Sequence, residues 1–278
     1  MKPKGALFSG IYIAIVLTLM YIPILLVILY SFNQSRISSL WGGFSLTWYI
    51  ELFRDRVMFS ALRNSIILGL AASLSAGIIG SLAAAGFSRA RLPGGKAVEQ
   101  LAVLPLMIPE IVMGMVSLAF FSLLALPFGM LTLVIAHTVM CVPYVYILVK
   151  ARLEGLDKSY VEAAKDLGAG EFRAFYDITL PMIMPALVSG MMISFAMSFD
   201  DVIISVFVTG ADTNTLPIRI YSQMRFGVTP KTNALCTLLF LVTVLLALAA
   251  AAVYRFRGNS DNGGSNNNTN SKIKGAEQ

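Results

Sequence analysis

The sequence predicts an all-α membrane protein with six spanning helices, and three observations lead there. Hydrophobic residues fill 57% of the 278 positions, charged residues only 13%, and the mean hydropathy is positive, a balance unlike that of a soluble domain. Six apolar runs reach the ~20 residues that a helix needs to cross the hydrocarbon. The runs lack the polar alternation of a barrel strand, and an open sheet would leave backbone groups unpaired in lipid.

Residues 1–10 form a short N-terminal segment, and residues 11–30 hold the first run, Ile11 to Tyr30. That run is longer than a typical secretory signal core and no small-x-small cleavage site stands out after it, so it reads as a permanent anchor. Residues 31–64 form an external loop. A core over residues 65–254 carries the other five runs: Ser65 to Phe87, Leu101 to Leu126, Leu131 to Val149, Met182 to Val208 and Ala234 to Tyr254. In the second run Ser73, Gly77, Ser81 and Ala85 share one face, where two helix backbones can approach closely. Intrachain packing is the default reading of that stripe, and a subunit contact stays open.

Pro105 and Pro109 in the third run deprive the carbonyls of Leu101 and Pro105 of their usual helical partners. Such freed groups are tolerated at membrane depth where they face protein or a wet cavity, so bending and gating both remain readings; Pro23, Pro143 and Pro185 imply milder irregularities. Cys141 and Cys236 are expected to be packing residues, and His137 a polar packing residue. Residues 255–278, rich in Asn, Gly and Ser, have nothing to bury and are expected to be disordered.

The side that keeps Lys and Arg is normally cytoplasmic. With both termini inside, the cytoplasmic segments hold two thirds of the 21 basic residues. The net charge of +6 is then explained by topology and anionic lipid, and no nucleic-acid partner is needed. Of the fifteen acidic residues, Glu110, Asp200 and Asp201 fall within the apolar runs, where each costs ~2.5–3.5 kcal/mol near the bilayer centre. Their compensation must come from water, protonation, a second subunit or a cationic substrate, because no Lys or Arg shares those runs. On a straight helix Glu110 lies about 14 Å in, near mid-membrane, and Asp200 near the outer face. Adjacent Asp200 and Asp201 point ~100° apart and cannot both face one pore.

The segment 150–181 carries a spaced pattern, Glu162-Ala163-Ala164, Gly168, then Ile178, Leu180 and Pro181, filling E-A-A-x3-G-x9-I-x-L-P. It suggests a short helix over Val161 to Leu167 with small residues where a partner's groove could approach. Gly168 permits a left-handed turn that ends it, and Pro181 stands where a new helix would begin. This pattern resembles the signature loop of permease subunits of ATP-binding-cassette importers. Further runs sharpen the resemblance: Tyr21-Ile22-Pro23, Ser31-Phe32-Asn33, Pro109-Glu110-Ile111-Val112 and Ser198-Phe199-Asp200-Asp201-Val202 through Gly210, with Leu216-Pro217 and Ile220-Tyr221-Ser222. These are similar to the spermidine/putrescine permeases of the PotC type, over nearly the whole chain up to the Asn-rich tail.

The resemblance implies a type I ABC importer (MetI-like) permease core in the bacterial inner membrane. It implies pairing with a second related permease, two ATPase subunits docked on the signature loops, and delivery of polyamine by a periplasmic or lipid-tethered binding protein. Glu110, Asp200 and Asp201 would then line the substrate pathway. Arg219, Arg225 and Lys231 are expected to meet an acidic rim on the binding protein, with solvated loop charge as the plain alternative. The chain carries no G-x-x-x-x-G-K-[ST] motif, so no catalytic residue or bound cofactor is expected in it, and ATP with Mg belongs to the ATPase. Another organic cation or an amino acid remains an alternative substrate. A proton-coupled carrier would need no docking loop, and an intramembrane enzyme is disfavoured because the paired Asp residues diverge and His137 has no evident metal partners.

Overall fold

The computed structural model describes residues 4–36, 40–89, 95–157, 159–225, 227–245 and 248. The expected disordered tail lies outside these residues. Among them the secondary structure is helical, and the one β feature is an isolated bridge between Asn33 and Phe44. Among the described residues four helices are long and apolar enough to cross a membrane, five if one bent pair counts as a span.

The chain divides into two units, one of residues 1–54 with 227–278 and one of residues 55–226. In the first unit α1 (Lys4–Ser31) contains the predicted anchor. Its apolar side chains are exposed around the helix, including Ile11, Leu19, Met20 and Leu25, as suits a helix bathed in lipid. The predicted external loop is more ordered than its polarity suggested. The Asn33 side chain accepts hydrogen bonds from the amides of Ser35 and Gly42 and donates to the Leu40 carbonyl at 2.7 Å. Trp48 on α2 (Thr47–Arg54) donates from Nε1 to the Asn33 carbonyl at 2.6 Å. The helix Pro230–Leu245, α12, covers the beginning of the sixth run; apart from residue 248, the rest of that run lies outside the described residues.

In the second unit α3 (Arg56–Arg89), α6 (Met130–Glu154) and α9 (Leu180–Asp200) pack against one another. α3 begins at Arg56, before the apolar run that predicted it from Ser65. The stripe of Ser73, Gly77, Ser81 and Ala85 is buried and the packing is intrachain. A Cβ added to Gly77 would meet Met191 Sδ at 2.9 Å. Gly80 lies against the backbone of α6, since a Cβ there would lie 2.9 Å from Val145 Cβ and 3.1 Å from both the Tyr146 nitrogen and the Val142 oxygen.

Two predicted spans are not single helices. The run Leu101 to Leu126 follows α4 (Gly95–Val103) into a 3₁₀ turn, Leu104–Met107, and breaks before α5 (Glu110–Leu123), the two limbs meeting at 112°. Pro105 and Pro109 together remove more of the i−4 ladder than bending can absorb. The depth estimate for Glu110 assumed a straight helix and falls with it. The run Met182 to Val208 ends as α9 at Asp200, turns extended at Asp201 (φ −67°, ψ 128°), and resumes as the six-residue α10 (Ile203–Val208).

A third correction concerns Pro181, which does not open a new helix. Helical backbone runs without interruption from Glu171 to Asp200, through α8 (Glu171–Ala174), a π-helical turn at Phe175–Thr179 and α9. The proline ring crowds the carbonyl four residues earlier, and widening the preceding turn relieves it; Leu180 N–H accordingly reaches the Phe175 carbonyl.

Because backbone atoms of α6 lie against Gly80, the contact cannot relax by rotating a side chain. Gly80→Val is expected to lower the stability of the purified protein by about 1–3 kcal/mol, read as a reduced thermal midpoint, whereas Gly86→Ala, with open space around its Cβ, should leave it near wild type.

Candidate functional site

The acidic residues picked out by sequence all sit at helix breaks, and the structure gives them different surroundings. Glu110 is the first residue of α5, next to the Pro109 N-cap, and is exposed. A carboxylate there is favoured by the helix dipole. It lies within electrostatic reach of Tyr144 on α6.

Asp200 and Asp201 part company at the end of α9. Asp200 is exposed as the last helical residue, and its carboxylate makes no hydrogen bond or ion pair with the described residues. A negative charge at a helix C-terminus opposes the dipole, so Asp200 is not there to stabilise its helix. Asp201 is buried. Its Oδ2 accepts from the Ser205 amide at 2.8 Å and its Oδ1 from the Ile204 amide at 3.2 Å, which satisfies two donors at the start of α10 as an N-capping side chain does.

His137, fully buried on α6, completes this arrangement. Nδ1 lies 2.8 Å from Ser198 Oγ, Nε2 lies 3.0 Å from Ser205 Oγ, and Nε2 is 3.4 Å from Asp201 Oδ2. A carboxylate only accepts, so the proton that suits this network rides on Nε2, leaving Nδ1 to accept from Ser198. One turn away, Cys141 Sγ donates to the Ser194 carbonyl and Ser194 Oγ to the Cys141 carbonyl, both at 3.3 Å. At the other end of α10, Thr132 Oγ1 lies 2.9 Å from both the Val208 and Gly129 carbonyls and accepts from the Gly129 amide at the same distance. Phe207 of α10 packs on Gly114 of α5, and Gly210 lies against the Phe128 carbonyl, both too closely for a Cβ.

This polar brace went unnoticed in the sequence beyond the reading of His137 as a packing residue. Its signal was present: Gly190, Ser194 and Ser198 recur at four-residue spacing on an otherwise apolar span, and all three are buried.

The E-A-A segment forms α7 (Ser159–Asp166), close to the predicted Val161 to Leu167. The amide of Ala169 reaches the Ala164 carbonyl at 3.0 Å and that of Gly168 reaches Lys165 at 2.8 Å, with Gly168 at φ +88°, the paired bonds of a Schellman cap. Glu162 and Ala163 are exposed and Ala164 half-buried. Lys165 pairs with Glu171. Leu167 and Phe172 are 90% and 82% exposed. A cavity of about 390 Å³ lies between α7 and the ends of α3, α6 and α9, with Leu156, Val161, Glu162 and Thr179 in its wall. Ile178, Leu180 and Pro181 lie in the continuous helix beyond it.

Of the cations expected to face a binding protein, Arg219 and Arg225 belong to α11 (Leu216–Met224) and the residue after it. α11 is pinned to α3 by Ser65 Oγ, which accepts from the Leu216 amide at 2.8 Å, and by Asn64 Nδ2, which donates to the Asn214 carbonyl at 3.1 Å. Arg219 Nε is buried with no hydrogen-bond partner among the described residues, while Arg225 lies over the Tyr221 ring, 5.2 Å from its centroid. Lys231 lies at the start of α12.

The family profile of "Binding-protein-dependent transport system inner membrane component" matches residues 76–261. The putrescine transport system permease protein PotI of Escherichia coli K12 is 41% identical over 229 residues, covering 80% of this chain and 82% of the relative. The spermidine/putrescine permease PotC of Haemophilus influenzae is 39% identical over 235 residues, covering 84% and 91%. A solved bacterial alginate ABC transporter in complex with its alginate-bound periplasmic protein aligns with a TM-score of 0.69 at 17% identity, covering 88% of this chain and 93% of that one, which identifies the fold.

Asp157, between α6 and α7, accepts from the Ser159 amide at 2.9 Å, and its bonds to Ser159 hold the carboxyl below its ordinary 3.8. A depressed carboxylate contributes stability that is complete above the unfolded pKa and is lost as pH falls through the folded one. The start of α7 should therefore stay protected at neutral pH and loosen below about pH 3.8, seen as faster amide exchange at Ser159 after correction for intrinsic rates; Asp157→Ala should show that loosening already at pH 7.

Proposed function

The chain belongs to the binding-protein-dependent transport system inner membrane components, and from that membership we propose that it is a membrane-spanning permease subunit of an ATP-driven importer of polyamines. It is a multi-pass protein of a bacterial inner membrane and acts as a permease. Both termini face the cytoplasm on this reading, as its basic residues favour. The substrate assignment draws on the PotI and PotC relatives.

One observation carries it: Glu110 and Asp200 are exposed carboxylates placed where two apolar segments break. In a bilayer, broken backbone and ionisable groups belong where they line a wet cavity. A polyamine carries several separated ammonium groups, and spaced carboxylates can replace its hydration one group at a time without a cage too tight for release.

The partners follow from the same surfaces. A second related permease completes the pathway, and a periplasmic or lipid-tethered binding protein meets the external cations Arg219, Arg225 and Lys231. Two ATPase subunits, each with ATP and Mg, dock on the signature loops, where α7 presents small Ala163 and Ala164 beside exposed Leu167. Glu162 fixes the docking pose, and Ile178, Leu180 and Pro181 carry the loop's motion into α9.

In the assembled complex, Glu110→Gln and Asp200→Asn should each cut putrescine or spermidine uptake about tenfold or more while ATP hydrolysis persists, the amide keeping size and removing charge. Wild-type transport by both variants across substrate concentrations would remove the polyamine reading. Gly168→Leu puts a branched side chain at a left-handed position, worth ~1–2 kcal/mol of strain, and should weaken ATPase association or uncouple hydrolysis from uptake without preventing membrane insertion.

A further inference from the structure

We propose that Asp201 is a positioning residue: its carboxylate, bonded to the Ile204 and Ser205 amides and braced by His137, fixes the break between α9 and α10 and thereby the direction in which the Asp200 carboxylate faces. The proposal rests on the reading of Asp200 as part of the transport path. Sequence adjacency makes the two carboxylates look like one acidic pair, but their bonding is opposite. Asp201 is buried and both its oxygens accept from backbone amides of the next helix. Asp200 is exposed and bonds to none of the described residues.

The mechanics follow from the size of α10. Six residues cannot sustain a helix on their own, so its ends must be held from outside. Thr132 holds the C-terminal end through the Val208 carbonyl. The N-terminal end is held by Asp201, whose extended backbone is the hinge itself, and by Ser205 Oγ on His137 Nε2, while His137 Nδ1 fastens Ser198 on α9. His137 thus ties the last turn of α9 to the first turn of α10 across the break. With both sides fixed, the peptide linking Asp200 to Asp201 has no freedom to turn, and the Asp200 side chain leaves the helix in one direction.

Capping and charge separate in a substitution series measured as polyamine uptake into proteoliposomes containing the full complex. Asn is neutral and keeps one capping oxygen while its NH2 replaces the other, whereas Glu keeps the charge and is too long to cap. Asp201→Asn should retain uptake within about threefold, while Asp201→Ala and Asp201→Glu should each lose about tenfold. Amide exchange should rise at both Ile204 and Ser205 in the Ala and Glu variants and at only one of the two in the Asn variant, whose single side-chain oxygen accepts from one amide. Because Asp201 acts through Asp200, Asp201→Ala combined with Asp200→Asn should transport no worse than Asp200→Asn alone. Uptake retained by Glu and lost by Asn, or losses that multiply in the double variant, would overturn the proposal and make Asp201 a substrate contact. If Asp200→Asn alone transports at the wild-type rate, it is instead the pathway reading beneath the proposal that fails.

Discussion

The interaction on which the second unit depends is the hydrogen bonding of α6 to both sides of the break between α9 and α10. A helix interrupted inside hydrocarbon exposes amides on one side of the gap and carbonyls on the other, and each unsatisfied group costs several kcal/mol. Here Thr132 answers the Val208 carbonyl, His137 ties the hydroxyls of Ser198 and Ser205 across the break, and Cys141 bonds the Ser194 carbonyl within α9. A polar face of this kind is poor at burying area but gives direction, since a hydrogen bond is lost over a displacement that a methyl contact would tolerate. The close approaches at Gly80 and Gly190, the latter against Val145 Cα at 3.0 Å, bring the backbones near enough for such short side chains to reach. Small residues on α3 and α9 and polar residues on α6 are therefore two halves of one packing solution.

The division of labour between Asp200 and Asp201 is an electrostatic consequence of where the helix stops. One residue earlier, a carboxylate opposes the dipole of the helix it ends; one residue later, it serves the dipole of the helix about to begin. Glu110, at the head of α5, shares the second situation but remains exposed. Its position combines local stability with access, whereas Asp200 has access alone.

How much of this could be read beforehand depended on the range of the interaction. The first apolar helix, the long helices and the E-A-A helix with its glycine stop were legible because hydrophobic length and local cap geometry are encoded within a few residues. The breaks were only half legible. Pro105 and Pro109 announced lost hydrogen bonds but not the 112° turn, and the break after Asp200 depends on His137, sixty-odd positions upstream, as well as on the neighbouring Asp201. The same limit hid the distinction between the paired aspartates: the ~100° divergence was clear, but which one turned inward depended on Ser205 and α6. Pro181 shows the converse, a local rule for starting a helix overridden by a π-helical turn that carries the helix through.

That continuity has a mechanical consequence. Thirty residues of unbroken helix from Glu171 to Asp200 make a rod about 45 Å long at ~1.5 Å per residue, with the E-A-A segment at its foot and Asp200 at its head. Helical hydrogen bonds resist stretching far better than a packed interface resists sliding, so the rod behaves as a lever arm and converts angle into distance. A tilt of about 10° at the foot carries the head roughly 8 Å sideways over that length, more than the span of an ammonium group and its first water shell. The gearing comes from length alone, so a small rocking of the foot suffices to displace the Asp200 carboxylate by several ångströms.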